Sequence, residues 1–223
     1  MNWLSLNWEQ VVELSREHLL LTIPAVLISV LVAVPIGRLA YRRPRLGGPV
    51  LVAASLLYAI PALPLLIIIP ALLGTPLRSA ATMIVALSLY GVALLVRTVA
   101  DAFAAVDPSA KAAALAIGYS PRRVFWTVEL PLAFPVMLSG IRVVTVSTIG
   151  LVTIGALIGV QSLGTLLTDG FQRGITAEVA TGVITTALLA ILLDAILLVV
   201  GRAFTPWTRS RKAGKQTVAA ASS

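Results

Sequence analysis

The sequence predicts an all-α polytopic membrane protein of about five transmembrane helices, with one polar helical insertion between spans. Three observations predict it. Of the 223 residues, 58% are hydrophobic and only 12% are charged, where a soluble domain carries roughly a quarter charged residues. The mean hydropathy is +0.99, and the apolar runs reach the ~20 residues that a helix needs to cross a bilayer. Short basic stretches separate those runs, and the 17 Lys and Arg residues are distributed unevenly among them.

Taken in order, residues 1–18 (MNWLSLNWEQVVELSREH) lack the positive start and early apolar core of a secretory signal. Trp3, Trp8, Val11, Val12 and Leu14 suit either a short helix at the membrane surface or a frayed terminus. We treat 1–18 as an extracytoplasmic segment and 19–204 as the membrane domain. The first span is expected over Leu19–Leu39, uncharged until Arg38. A second uncharged run, Leu46–Leu77, is too long for one straight helix, so Pro61, Pro64 and Pro70 are expected to kink it. Such kinks shape a pathway or serve packing alone. Gly74 to Pro76 form its far turn, and Ser79–Val96 is the third span, bounded by Arg78 and Arg97.

Asp107 to Pro131 is the longest polar interruption, and it reads as two short capped helices. Asp107 and Pro108 form an N-cap followed by a first-turn proline. Gly118 supplies a left-handed stop, Ser120 and Pro121 repeat the start signal, and Pro131 is expected to close the second piece.

A fourth span follows over Ala133–Ile158, with Gly140, Ser147, Gly150, Gly155 and Gly159 as a small-residue surface suited to a helix interface between subunits. Arg142 is placed near its start, where it can snorkel to headgroups. Gln161–Glu178 reads as a mixed loop, with the fifth span over Val179–Gly201. The tail, 205–223, is basic and then Ala/Ser-rich, with the composition of a disordered segment.

Arginine and lysine set the expected orientation. With the N-terminus outside and five spans, Arg38, Arg42, Arg43, Arg45, Arg97, Lys111, Arg122, Arg123, Arg142, Arg202, Arg209, Arg211, Lys212 and Lys215 lie inside. Only Arg16, Arg78 and Arg173 lie outside. The positive-inside rule therefore places residues 107–131 in the cytoplasm, and it accounts for the net charge of +8 without nucleic acid.

No catalytic or metal-binding set is evident. Cysteine is absent, His18 is the lone histidine, and Asp101 and Asp107 read as loop and cap residues rather than a carboxylate pair. No glycine loop with a following lysine offers a phosphate cradle. Asp194 stands apart, because an acidic side chain in an apolar helix costs about 2.5–3.5 kcal/mol at the bilayer centre. It serves either a proton or substrate pathway, or a polar partner within the bundle.

Ala113, Ala114 and Gly118, followed after nine residues by Val128-Glu129-Leu130-Pro131, resemble the EAA motif of ABC importer permeases. This sequence has Ala112 at the motif's glutamate and Val128 at its isoleucine. Tyr58-Ala59-Ile60-Pro61-Ala62-Leu63, SGIRVVTVSTIG and ALIGVQSLG are similar to the branch carrying glycine betaine, carnitine and choline. The methionine-type permeases share the five-span plan. The resemblance implies the MetI-like ABC permease fold and no enzymatic activity in this chain, with ATP and Mg handled by a separate ATPase subunit. Asp107, Pro108, Lys111, Ala112, Ala113, Ala114, Leu115, Gly118, Tyr119, Ser120, Pro121, Glu129, Leu130 and Pro131 would then form the coupling helices against that ATPase. A second permease subunit, an extracytoplasmic binding protein and the lipid bilayer are the other implied partners. An ABC permease for another small solute such as methionine, an ion-coupled transporter using Asp194, a membrane scaffold and a membrane enzyme are the alternative readings.

Overall fold

The computed structural model describes residues 2–76 and 78–205. The described residues form helices and turns, in the order α1 (Asn2–Arg42), α2 (Pro44–Ala59), α3 (Ala62–Leu73), α4 (Ala80–Ala104), α5 (Pro108–Ala116), α6 (Pro121–Val124), α7 (Leu130–Val152), α8 (Gly164–Arg173) and α9 (Thr176–Phe204). A π-helical turn, Phe125–Glu129, joins α6 to α7, and a 3₁₀ turn, Thr153–Ile158, ends α7. The basic tail beyond Thr205, including Arg209, Arg211, Lys212 and Lys215, lies outside the described residues.

The centre of the bundle is α4, which packs against α1, α2, α3 and α7. Glycines set how closely these helices approach. A Cβ at Gly37 would lie 2.7 Å from the Val96 carbonyl oxygen on α4, and one at Gly140 would lie 2.7 Å from Thr98 Cγ2. The core at the arginine-rich end is built from Val96, Val99, Phe103, Phe125 and Met137, and a second core from Leu21, Leu66, Met83, Leu87 and Val152. By contrast α9 is peripheral, with Val183, Ile184, Leu188 and Ile191 turned outward. An apolar helix with an apolar outer face has a bilayer as its solvent.

The structure changes several expected boundaries. The stretch 2–18 is helical: a short first piece ends at a kink at Asn7 (φ −124°, ψ 19°), and the helix beyond it continues without a break into the first expected span. Val11 and Leu14 pack against Leu163, Leu166 and Leu189, and the fully buried His18 donates from Nε2 to the Ile149 carbonyl, 3.1 Å. The helix of the expected third span, α4, passes Arg97 and continues to Ala104, so Asp101 is a helical residue and not a loop residue. Arg97 and Asp101 ride its exposed face while Val99, Ala102 and Phe103 stay buried. Charge marked the end of the apolar run there, but periodicity carried the helix on.

Of the three prolines, Pro61 makes the break: α2 and α3 meet at 106° across Ile60–Pro61. Pro64 and Pro70 stay inside α3, which ends in a left-handed Gly74 (φ 65°). Nor does Pro131 close the second short helix. It sits in the first turn of α7, and the preceding π turn absorbs its missing N–H, with Leu130 N–H reaching back five residues to the Phe125 carbonyl. A single rod of helix, Pro121–Ile158, results. Gln161–Glu178 is likewise not a loop: it holds α8, anchored by the buried Leu163 and Leu166, and the first turn of α9.

Candidate functional site

The short helices α5 and α6 are formed as their punctuation predicts. Asp107 Oδ1 accepts from Ser109 N–H (2.8 Å), and that bond holds the Asp107 carboxyl below the usual carboxylate range. At the other end Gly118 takes φ 91°, while Gly118 N–H bonds Leu115 O and Tyr119 N–H bonds Ala114 O, both at 3.0 Å. This pairing closes a helix with two of its last carbonyls satisfied. Ser120 Oγ then caps α6 through Arg123 N–H (3.3 Å).

The pair has two faces. Inward, Ala114 is buried, and Lys111 and Glu129 join a cluster with residues of α1 and α4. Lys111 Nζ donates to the Tyr41 hydroxyl (2.8 Å) and lies 3.8 Å from one Glu129 oxygen. Arg38 lies 3.6 Å from the other Glu129 oxygen, and its guanidinium carbon stands 3.3 Å over the Phe125 ring. Tyr41 stacks on Phe103, which touches Phe125 in turn. The motif is thereby fastened to α1 and α4 by charge and by rings.

Outward, Leu115, Ile117 and Trp126 are 51%, 73% and 59% exposed, beside exposed Ala112, Ala113, Pro121 and Arg122. Small alanines between large apolar side chains give a surface that another protein can approach closely. Ala112 lies on this face and takes no part in the inner cluster. The Lys111–Glu129 contact is made without a glutamate at that position. Arg38, Tyr41 and Phe125 were missing from the sequence-derived site. Their signal was the pairing of basic Arg38 with acidic Glu129, 91 positions apart, which spacing alone cannot reveal.

The small-residue set divides. Gly140 packs on Thr98 and Leu95, Gly155 on Met83, and Gly159 (φ 84°) beside Arg78, so these three make contacts within the chain rather than presenting a free interface. Ser147 and the exposed Gly150 face a cleft of about 450 Å³. Tyr58, Ile60, Pro61 and Tyr90 line its other side, where α2 breaks into α3.

Asp194 has found its bundle partner. Arg142 Nε and Nη2 each donate to one of its carboxylate oxygens at 2.7 Å, a two-pronged pairing of α7 with α9. Arg142 therefore faces α9 instead of reaching for headgroups, because a carboxylate across the helix interface offers it two charged hydrogen bonds. Among the described residues, no group of three or more acidic or histidine side chains could hold a metal ion.

Residues 21–210 match the family described as binding-protein-dependent transport system inner membrane component. Among curated proteins, the chain is 30% identical to the carnitine transport permease protein OpuCD of Listeria monocytogenes, over 92% of each chain. It is 31% identical to the choline transport system permease protein OpuBB of Bacillus subtilis, over 92% of this chain and 94% of that one. It is 36% identical to the osmoprotectant import permease protein OsmW of Salmonella typhimurium, over 82% and 86%. Among solved structures, the inward-facing MetNI methionine ABC transporter superposes with a TM-score of 0.77 at 22% identity, over 87% of this chain and 96% of that one. An amino acid ABC transporter crystallised with histidines gives 0.69 at 18% identity, over 92% and 98%.

Proposed function

The chain belongs to the binding-protein-dependent transport system inner membrane component family, the permeases of ABC importers, and from that premise we propose that it imports a quaternary-amine osmoprotectant. Glycine betaine, choline and carnitine are the candidate solutes. The observation that carries the substrate class is the naming of its curated relatives for carnitine, choline and osmoprotectant transport, at 30–36% identity over most of the chain. The solved methionine transporter shares the fold at only 22% identity, which speaks for architecture and not for substrate.

In this reading the outward face of α5 and α6 sits on an ATPase subunit, which supplies the ATP chemistry with its Mg. A second permease completes the pathway between protomers. An extracytoplasmic binding protein delivers the solute, and α8, with Phe171 82% exposed, offers it a contact. The N-terminus lies outside and the C-terminus in the cytoplasm, which puts Arg38, Lys111, Arg122 and Arg123 at the cytoplasmic end with the coupling helices. Closure of the ATPases displaces α5 and α6. Because α6, the π turn and α7 form one rod, the displacement reaches Ser147, about 30 Å along the helix from Trp126. There it changes the width of the cleft at the α2–α3 break, as alternating access requires. In this reading Asp194 serves the bundle as the partner of Arg142 and not as an ion-coupling group, a role the Arg142–Asp194 pair supports.

The test is uptake by proteoliposomes carrying the chain with its ATPase and binding protein, given labelled choline, carnitine, glycine betaine or methionine. Saturable uptake of a quaternary amine that excess methionine does not reduce supports the reading. Uptake of methionine alone overturns it.

A further inference from the structure

We propose that the cleft at the α2–α3 break is a contact site for the trimethylammonium group of the solute, with the Tyr58 ring as its recognition surface and Tyr90 as the residue that positions it. The inference rests on the quaternary-amine reading above and adds a site within the permease itself.

The first support is depth. Tyr90 lies seven residues before Arg97 and eleven after the Ser79 cap, about 10 Å and 16 Å along α4. The break opposite it is therefore well inside the membrane. Backbone that leaves helical geometry at such depth is tolerated where it is covered by protein or lines a cavity, and interrupted helices of this kind build solute sites in other transporters. Here the break lines the cleft.

The second support is the rings. Tyr58 and Tyr90 meet edge to face, with centroids 6.0 Å apart and planes at 79°. Tyr90 is buried and its hydroxyl donates to the Ile60 carbonyl, so it is tied to the break itself. Tyr58 is 48% exposed and is held by that fixed neighbour. A ring accessible on one side and oriented on the other can receive a cation on its π face.

The third support is what the lining lacks. Its residues are Tyr58, Ala59, Ile60, Pro61, Ala62, Tyr90, Ser147, Gly150 and Leu151, without a carboxylate. A primary ammonium brings three N–H donors that need acceptors when they leave water. A trimethylammonium group brings none. It is satisfied by aromatic faces and apolar walls, and the carbonyls of Leu57 and Ile60 at the break already accept from Ile60 N–H and the Tyr90 hydroxyl, so this lining favours it over an α-amino group.

Because the chain has no cysteine, a Ser147→Cys variant gives one reporter thiol on this subunit. In the complete reconstituted complex it is treated with a trimethylammonium-ethyl methanethiosulfonate or with neutral methyl methanethiosulfonate, and labelling of this chain is read by mass. The cationic reagent is expected to modify Ser147→Cys, and choline is expected to slow it. In the same background Tyr58→Leu should raise the choline concentration needed for half protection about tenfold, the effect of losing one cation–π contact. Tyr58→Phe should keep protection. Modification by the neutral reagent alone, or equal protection in the Tyr58→Leu background, overturns the site. If wild-type complex imports a quaternary amine and either result is obtained, the site fails while the transport reading stands. If wild-type complex imports none, the reading itself has failed.

Discussion

Replacing Glu129 by Gln removes the carboxylate that faces both Arg38 and Lys111, while keeping the size of the side chain. The magnitude follows from burial and distance. Deleting one partner of a fully buried ion pair costs about 3–5 kcal/mol, and an exposed pair contributes about 0.2–1 kcal/mol. The Glu129, Arg38 and Lys111 side chains keep 17%, 24% and 16% of their accessible surface, with N···O distances of 3.6 and 3.8 Å. That lies between the limits, so about 1–3 kcal/mol should be lost from the seating of α5 and α1 on the π turn. Lys111 retains its bond to Tyr41, which keeps the loss from the upper limit. Amide exchange in Pro108–Ala116 should then accelerate about 5- to 150-fold, with the core of α4 unchanged. In proteoliposomes the solute imported per ATP hydrolysed should fall, because a loosely seated α5 transmits less of the ATPase movement to α7. Unchanged α5 exchange together with an unchanged transport-to-hydrolysis ratio would refute the role given to the cluster.

Gly118→Val forces a β-branched residue to φ 91° although space is open around it, so strain of about 1–3 kcal/mol should uncouple hydrolysis from uptake while membrane insertion, read by fractionation, stays normal. Asp194→Asn should leave uptake ATP-dependent but lower the thermal midpoint in detergent, with an Arg142→Met/Asp194→Leu double variant recovering part of it; loss of ATP dependence in Asp194→Asn would point to ion coupling. Asp107 has a carboxyl held below its ordinary value of about 4. Its cap therefore contributes fully above that pH and fades as pH falls through the lowered value. Exchange of α5, corrected for intrinsic rates, should be level from pH 8 to 5 and rise below about 4, and Asp107→Ala should abolish that dependence.

Capping made α5 and α6 legible from sequence alone. Asp107-Pro108, Gly118 and Ser120-Pro121 act within a few residues, so local chemistry fixes them. Hydropathy also located, among the described residues, four helices long and apolar enough to cross a membrane, because the bilayer demands apolar length, while the second apolar run folds as the bent pair α2 and α3. What it could not supply was helix continuity: Val11, Leu14 and Asp101 are helical through packing and periodicity, in stretches that charge had marked as outside the spans. Pro131 misled for a related reason, since the π turn that accommodates it is a backbone solution with no composition signal. Contacts between distant segments were the least legible. Asp194 was read as serving either a proton or substrate pathway or a polar partner in the bundle, and Arg142, its partner, was assigned to headgroups. The glycines of the fourth span were read as contact residues, and Gly140 in α7 and Gly155 in the 3₁₀ turn pack against α4 within the chain.

The central claim is that ATP hydrolysed by another subunit enters this chain through α5 and α6 to drive import of a quaternary amine. The most direct measurement is uptake of labelled choline or glycine betaine by proteoliposomes holding the full complex, with ATP or a non-hydrolysable analogue on the ATPase side and ion gradients collapsed by ionophores. The account predicts accumulation against a gradient with ATP, none with the analogue, and no effect of the ionophores. Accumulation without hydrolysis that the ionophores abolish would contradict it.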